Sequence, residues 1–595
     1  MSAIQQLLTD HIDIWTAAET EKRSGRGRAS GNAGSVYGIK KLRELILELA
    51  VRGKLVPQDA NDEPACELLK GIQAKKAKLI AEGKIKKDKP LAAITEDEKP
   101  FELPKGWAYS RLGDAVEIIR GITFPGSEKS KVPEIGRVAC LRTTNVQDQI
   151  EWDDLLYIGE EFVSREDQYL MPRDIVMSMA NSRELVGKVA LVGEVIDQQT
   201  SFGGFLGVLR PFLIEPRFVM ALLRTPHTRE ELIDSASQTT NIANISLAKL
   251  KPLFFAIPPL AEQHRIVAKV DELMALCDQL ENQHSNAAEA HEKLVSHLLG
   301  TLTQSQSAED FSVNWQRIAA HFDTLFTTDF SIDALKQTLL QLAVMGKLVP
   351  QDANDEPASE LLKRIQAEKA KLIAEGKIKK DKPLTPITDD EKPFELPKNW
   401  LWVRMGDICR PISSGSTPPA ESFQYEDGIP YLKVYNIKNQ EVDFDYKKQF
   451  VDESYHATKL KRSVIYPGEL IMNIVGPPLG KVAIVPSSHP EWNCNQAIVF
   501  FGLIKPMSPH YVLDFLKEGS FLNDIELIGT AGQDNISVTK SKNIPVPIPP
   551  LAEQHRIVTK VDELMALCDQ LKSRITDASR LQQKLADVLV GQAVA

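Results

Sequence analysis

Two stretches of this 595-residue chain occur twice, and between them lie two stretches that do not repeat. Leu49–Asp59 reads LAVRGKLVPQD and Leu342–Asp352 reads LAVMGKLVPQD. The match continues through ANDEPA, AKLIAEGKIKKDKPL and EKPFELPK, and ends at Trp107 and Trp400 without a change of spacing. A second repeat, IPPLAEQHRIVAKVDELMALCDQL at Ile257–Leu280, returns at Ile548–Leu571 with Thr559 for Ala268. The inserts, Gly106–Ala256 and Asn399–Pro547, have nearly equal length and little identity. Faint parallels survive in them: Gly187-Lys188-Val189-Ala190 against Gly480-Lys481-Val482-Ala483, and Asn244-Ile245-Ser246 against Asn535-Ile536-Ser537. A repeat of this kind decides the architecture before any residue-level reading. It implies one frame used twice, with approximate two-fold symmetry, carrying two cargoes of one fold and unlike surfaces. Five segments follow: 1–100, a helical extension with the first repeat copy; 101–256, the first insert; 257–393, a central helical region; 394–547, the second insert; and 548–595, a final helix.

The frame reads as helical. Ile266, Val270, Leu273, Cys277, Leu280, His284, Ala287, His291, Leu294 and Leu298 recur at spacings of four and three, an a/d seam. The second copy gives Ile557, Val561, Leu564, Cys568, Leu571, Ile575, Ala578, Leu585 and Leu589, interrupted by Gln582. Each run follows a Pro-Pro pair, a helix-start signal. A helix of about 40 residues spans about 60 Å, so a paired set would act as a stiff antiparallel spacer. His284 and His291 read as packing residues on that seam. Ile39–Val51 and Ile332–Val344 are helical by period and end at Gly53 and Gly346. The lysine-rich stretch Asn61–Lys89 suits either a phosphate-touching arm or a solvated helical face. Ser24–Ser35 is a linker by composition.

The inserts lose helical period and gain short apolar runs: Asp174–Met179, Val189–Val192, Phe205–Leu209, Leu470–Val475 and Ala497–Leu503. These predict strands in a mixed α/β domain with a strongly bent sheet. Between them lie loops rich in groups that suit nucleic acid. In the first insert the candidates are Arg142, Thr143, Thr144, Asn145, Asn181, Arg183, Ser201 and Asn241. In the second they are Ser414, Ser416, Lys433, Tyr435, Asn436, Asn495, Gln496, Gln533 and Asn535. Arg matches guanine and Asn or Gln matches adenine through paired hydrogen bonds, while hydroxyls suit phosphate oxygens. The same residue types are also ordinary turn formers. A net charge of −10 opposes a uniformly basic DNA-binding surface.

Catalytic motifs are missing. No [Asn/Asp]-Pro-Pro-aromatic or Gly-rich methyltransferase loop occurs, and Gly476–Val482 falls one residue short of a P-loop and lacks its hydroxyl. Neither H-E-x-x-H nor G-x-S-x-G is found. Glu262-Gln263-His264-Arg265, repeated at Glu553–Arg556, sits at a helix start and reads as a hydrogen-bond network or docking surface. Six separated cysteines without a CxxC pair point to reduced thiols in a cytoplasm. No apolar run is long enough to span a membrane.

These repeats, with FELPKGW, FELPKNW and Gly415-Ser-Thr-Pro418, resemble the specificity subunit of type I restriction–modification systems over nearly the full length. The resemblance implies an α+β chain with two target-recognition domains on a pair of long antiparallel helices. It implies that each domain reads one half of a bipartite site in double-stranded DNA while the helices set the gap. It further implies two methyltransferase subunits and two motor–nuclease subunits as partners, which bind S-adenosylmethionine, ATP and Mg; this chain would hold no cofactor or metal and no catalytic residue. The residues taken without the resemblance leave open a coiled-coil scaffold whose inserts bind other proteins.

Overall fold

The structure is a computed structural model and describes residues 10–17, 36–99, 101–183, 185–234, 237–239, 242–424, 426–525 and 535–594. The expected linker at Ser24–Ser35, together with Asn241 and Gln533, lies outside the described residues. Two compact units emerge: residues 1–288 with 578–595, and residues 289–577. The units cut across the five linear segments, because residues from each long helix, Leu260–Thr303 and Leu551–Val594, are divided between them.

In the first unit the helix Tyr37–Val51 is the hub. Its buried face carries Ile39, Leu42, Leu45, Ile46 and Leu49. Two segments flank it. Arg43 bonds Asp278 (2.6 Å) and Glu281 (2.8 Å), and Gln58 reaches back to Glu262 (3.3 Å), so Leu260–Ala288 runs against the hub's direction. Tyr37 donates to Asp587 (2.8 Å) and Lys54 to the Val594 carbonyl (3.3 Å), so residues 578–594 run with it. The two helical segments are therefore antiparallel within this unit. The second unit repeats the plan around Asp329–Val344: Lys336 bonds Asp569 (2.5 Å), Gln351 bonds Glu553 (2.7 Å), and Lys347 donates to the Thr303 carbonyl (2.7 Å).

The heptad seam holds only over part of each helix. Ile266, Leu273 and Cys277 are buried, as are Ile557, Val561 and Cys568. Further along, the buried stripe moves by one residue to Val295, Leu299 and Leu302, while the expected seam residue Leu294 is 50% exposed. The second helix does the same, burying Ala586 and exposing Leu585. A helix with 3.6 residues per turn drifts about 20° per heptad, so a strict seven-residue pattern leaves the packed face after a few turns. His291 places its Nε2 3.3 Å from the Thr324 carbonyl.

Each insert is held to its frame by the EQHR motif at the helix start. Glu262 accepts from the Trp107 indole (3.0 Å), Gln263 bonds the Pro258 carbonyl and the Glu215 amide (both 2.9 Å), and Arg265 pairs with Asp62 (2.6 Å). Glu553, Gln554 and Arg556 repeat these contacts with Trp400, Pro549, Ser508 and Asp355. Burial raises the pKa of Glu262 and Glu553, and the indole and amide donors act against that rise. The lysine-rich helices, Ala65–Ala81 and Ala358–Ala374, take part in the same anchorage: Lys76 donates to the Gly113 carbonyl (2.7 Å) and Lys369 to that of Gly406 (2.6 Å).

The inserts share one topology. A strand pair closes each at its base, Ala108–Arg111 with Phe254–Ile257 and Leu401–Arg404 with Pro545–Ile548. Instead of one bent sheet, each has two main sheets. Antiparallel strands run 116–120, 206–211, 175–178, 189–191 in the first, and 413–414, 498–501, 470–473, 482–484 in the second. A mixed sheet lies beside each, with a parallel pair at Cys140–Leu141 against Ser201–Phe202 and at Tyr431–Leu432 against Asn493–Cys494. The faint sequence parallels have a backbone cause. Gly187 and Gly480 both take positive φ (79° and 75°) at the turn into a strand, a conformation that costs glycine little.

Candidate nucleic-acid interface

The first insert opens a cleft of about 750 Å³ where its two main sheets meet. Its floor includes Phe124, Met179 and Leu206, and its rim carries Arg120, Lys129 and Arg142 beside Thr143, Thr144, Asn244 and Ser246. Arg120 and Lys129 have no acidic partner among the described residues. Unpaired cations over an apolar floor suit a ligand with phosphates and flat apolar faces.

The predicted residues divide into three kinds. Arg142, Thr143 and Thr144 line the cleft, with Arg142 pairing with the side chain and carbonyl of Asp154 (both 2.6 Å). That guanidinium holds the Asp154 carboxyl below the usual carboxylate range. A second kind is spent on structure, which corrects the expectation for them. Asn145 is buried; its oxygen accepts from the Arg142 amide (2.9 Å), and its nitrogen donates to the Glu151 (2.9 Å) and Asp154 (3.2 Å) carbonyls. Asn436 does the same with Lys433, Asp443 and Tyr446. Ser201 is buried and donates to the Gln168 carbonyl (2.9 Å). A buried side-chain amide with both donors and one oxygen lone pair used inside a turn is withdrawn from any base edge.

The third kind lies on the surface with local partners. Asn181 accepts from the Ser182 amide (2.9 Å), and Arg183 pairs with Asp234 (3.2 Å). Ser416 accepts from Arg462 (3.1 Å), and Gln496 accepts from the Thr417 hydroxyl. Asn535 is exposed and bridges Val475, and Ser414 lies opposite Val499 on an edge strand. Asn495 departs from this group: its side-chain oxygen is buried and has no hydrogen-bond partner among the described residues. Lys433 sits over the Phe423 ring (5.0 Å), and Tyr435 packs edge-on to Tyr446 (5.9 Å) with Lys447 above both.

Matching hydrogen bonds align the two clefts residue by residue. Gly203 donates to the Leu141 carbonyl as Asn495 does to that of Leu432. The Phe205 carbonyl accepts from Met179 as the Ala497 carbonyl accepts from Ile474. Strand register places Arg120 opposite Gly207 and Ser414 opposite Val499, so Arg120-Gly121 corresponds to Ser414-Gly415. Both glycines press on the facing backbone: a Cβ would lie 2.2 Å from the Gly203 carbonyl oxygen at Gly121, and 2.0 Å from that of Cys494 at Gly415. Arg120, Lys129 and Phe205 escaped the sequence reading; the dipeptide Arg-Gly matched to Ser-Gly was the signal for the first of them.

The loop after the buried asparagine differs most. Between Asn145 and Leu156 stand four acids and no base; between Asn436 and Gln449 stand three of each. Lys447 and Lys448 have no acidic partner among the described residues and lie over tyrosine and phenylalanine rings.

No helix among the described residues is long and apolar enough to cross a membrane. The type I restriction modification DNA specificity domain matches residues 104–290 and 397–578, the two inserts each with its following helix. The EcoEI specificity subunit of a type I restriction enzyme from Escherichia coli is 41% identical, with all of both chains covered. The EcoAI specificity subunit, also from Escherichia coli, is 40% identical with the same coverage. The EcoKI specificity subunit of strain K12 is 24% identical over 83% of this chain and 89% of its own. With its duplicated frame, its paired α+β inserts and these full-length likenesses, the chain belongs to the family of type I restriction–modification specificity subunits.

Proposed function

We propose that each insert reads one half of a bipartite, asymmetric site in double-stranded DNA, that the long helices set the gap, and that the chain directs methyltransferase and motor–nuclease subunits to that site. The carrying observation is the pairing of equal frames with unequal clefts: every clamp contact from Trp107 to Arg265 recurs from Trp400 to Arg556, while the positions of Arg120 and Gly203-Gly204-Phe205 are taken in the second insert by Ser414 and Asn495-Gln496-Ala497. A two-fold frame holding unlike readers specifies unlike half-sites at a fixed spacing. In this reading catalysis belongs to the partners: two methyltransferase subunits would modify adenine N6 with S-adenosylmethionine, and two motor–nuclease subunits would use ATP and Mg in the cytoplasm. Leu581, Leu585 and Val588 form an exposed apolar ridge on one face of the second long helix, a surface suited to a protein partner. The net charge of −10 fits a chain that binds DNA weakly and in a salt-sensitive way alone, with a methyltransferase completing the grip.

Mapping methylated adenines in cells that carry the complex, before and after residues 107–256 are exchanged for another insert, tests the reading. One half of the methylated motif should change while the other half and the gap persist. A change in both halves, or in neither, overturns it.

A further inference from the structure

One stretch of the first cleft's wall is a tip with no polar side chain. Gly203-Gly204-Phe205 links two strands, and Phe205, which lines the cleft, is 67% exposed. The tip is rigid. Leu206 donates to the Gly203 carbonyl (2.8 Å), Met179 to the Phe205 carbonyl (2.8 Å), and Gly121 packs directly on Gly203. Arg120 and Arg142 line the same cleft and hold cationic groups beside it. The equivalent tip of the second insert is Asn495-Gln496-Ala497, where the Asn495 oxygen is buried without a partner among the described residues and Gln496 is exposed.

From this juxtaposition we infer that the tip is a specificity determinant of each reader, and that Phe205 makes the first reader select a thymine by packing on its 5-methyl group. The inference rests on the DNA-reading role proposed above. Its chemistry is elimination at a base edge. Two glycines and a phenyl ring offer no side-chain hydrogen bond, so a base edge of donors and acceptors would be buried unsatisfied there. The thymine methyl is the apolar feature of the major-groove edge, and phenylalanine suits it. In the second reader the exposed Gln496 amide offers a donor, and an acceptor in the second lone pair of the oxygen that Thr417 bonds, the pattern that matches adenine. Nearby cations fix the backbone without choosing the base.

The test uses the full chain assembled with its methyltransferase, on duplexes bearing the methylated motif found in cells. Each thymine of the first half-site is replaced in turn by uracil, which deletes only the methyl. One replacement should weaken binding by roughly threefold to fivefold, as expected for one buried methyl. Phe205→Ala should abolish the difference between thymine and uracil at that position, Phe205→Leu should retain most of it, and neither should alter recognition of the second half-site. Selective binding that is indifferent to every methyl, or a methyl effect that survives Phe205→Ala, overturns the inference and leaves the reading role intact. Absence of selective binding by the unaltered complex overturns both.

Discussion

The two reading domains share a backbone and differ in electrostatics. Asn145 and Asn436 tie down the same loop with the same hydrogen bonds, yet one loop carries Glu151, Asp153 and Asp154 and the other Tyr446, Lys447 and Lys448. The rims differ the opposite way, with Arg120 in the first cleft and Ser414 in the second. A buried amide can preserve loop geometry while everything solvent-facing changes, because its energy is spent on backbone carbonyls that every residue supplies. Free cations are thereby distributed unequally: the second reader carries Lys447 and Lys448 over aromatic rings in this loop, and the first has Arg120 and Lys129 at the rim of its cleft.

Four perturbations break or sharpen this comparison. The largest should show the frames to be equal. Trp107→Ala and Trp400→Ala remove side chains that pack on Phe218 and Tyr511 and bond Glu262 and Glu553, and each should cost about 3–5 kcal/mol in denaturant unfolding. A difference of more than about 1 kcal/mol between them would break the equivalence.

The next separates the readers. Burial pushes the Asp514 carboxyl up to about 7, with only Lys517 pulling it down, while the corresponding first-reader position is Ala221. A folded-state pKa above the unfolded one favours folding fully below the unfolded pKa of about 3.8, and that contribution is lost as pH rises through 7. Asp514→Asn should therefore stabilise the protein by roughly 1–3 kcal/mol at pH 8 and hardly at all near pH 4. Equal effects at both pH values would remove the titration from the explanation.

Arg120→Ala should cost about 1–3 kcal/mol of DNA binding by the assembled complex, with the loss confined to the first half-site, whereas Ser414→Ala should cost under about 1 kcal/mol. The smallest free-energy change should come from Lys447→Gln with Lys448→Gln. These should lower affinity by about 1 kcal/mol at moderate salt for any sequence and flatten the log–log salt dependence by about two. An unchanged slope would take that loop away from the phosphates.

Much of this architecture could be read from the letters. The repeats LAVRGKLVPQD and IPPLAEQHRIV announced the frame, and the EQHR motif's place at a helix start pointed to a network. The apolar runs at 175–178, 189–191 and 470–473 became strands, buried almost throughout, because a short continuous apolar run bounded by turn residues leaves a strong local signal. The cleft was less legible. Asn145 and Ser201 carry the residue types of base readers, but whether an amide is free depends on carbonyls brought in by the fold. Arg120 lies next to a glycine whose meaning is a tertiary contact with Gly203, which no local pattern encodes. The late part of each heptad seam misled because a sequence period of seven says nothing of how far a straight helix has turned.

Residues 578–594 complete the core of the first unit, with Tyr37 bonded to Asp587 and the Arg52 guanidinium to the Val594 carbonyl (3.0 Å). The reader synthesised first is thus sealed by residues made roughly 300 positions later. At about 5–20 residues per second the ribosome leaves that core open for on the order of tens of seconds. Meanwhile the second unit, residues 289–577, gathers all its own parts in an unbroken run. Order of birth and order of completion are reversed, and a nascent chain halted before residue 578 would release a finished second reader tethered to an unfinished first.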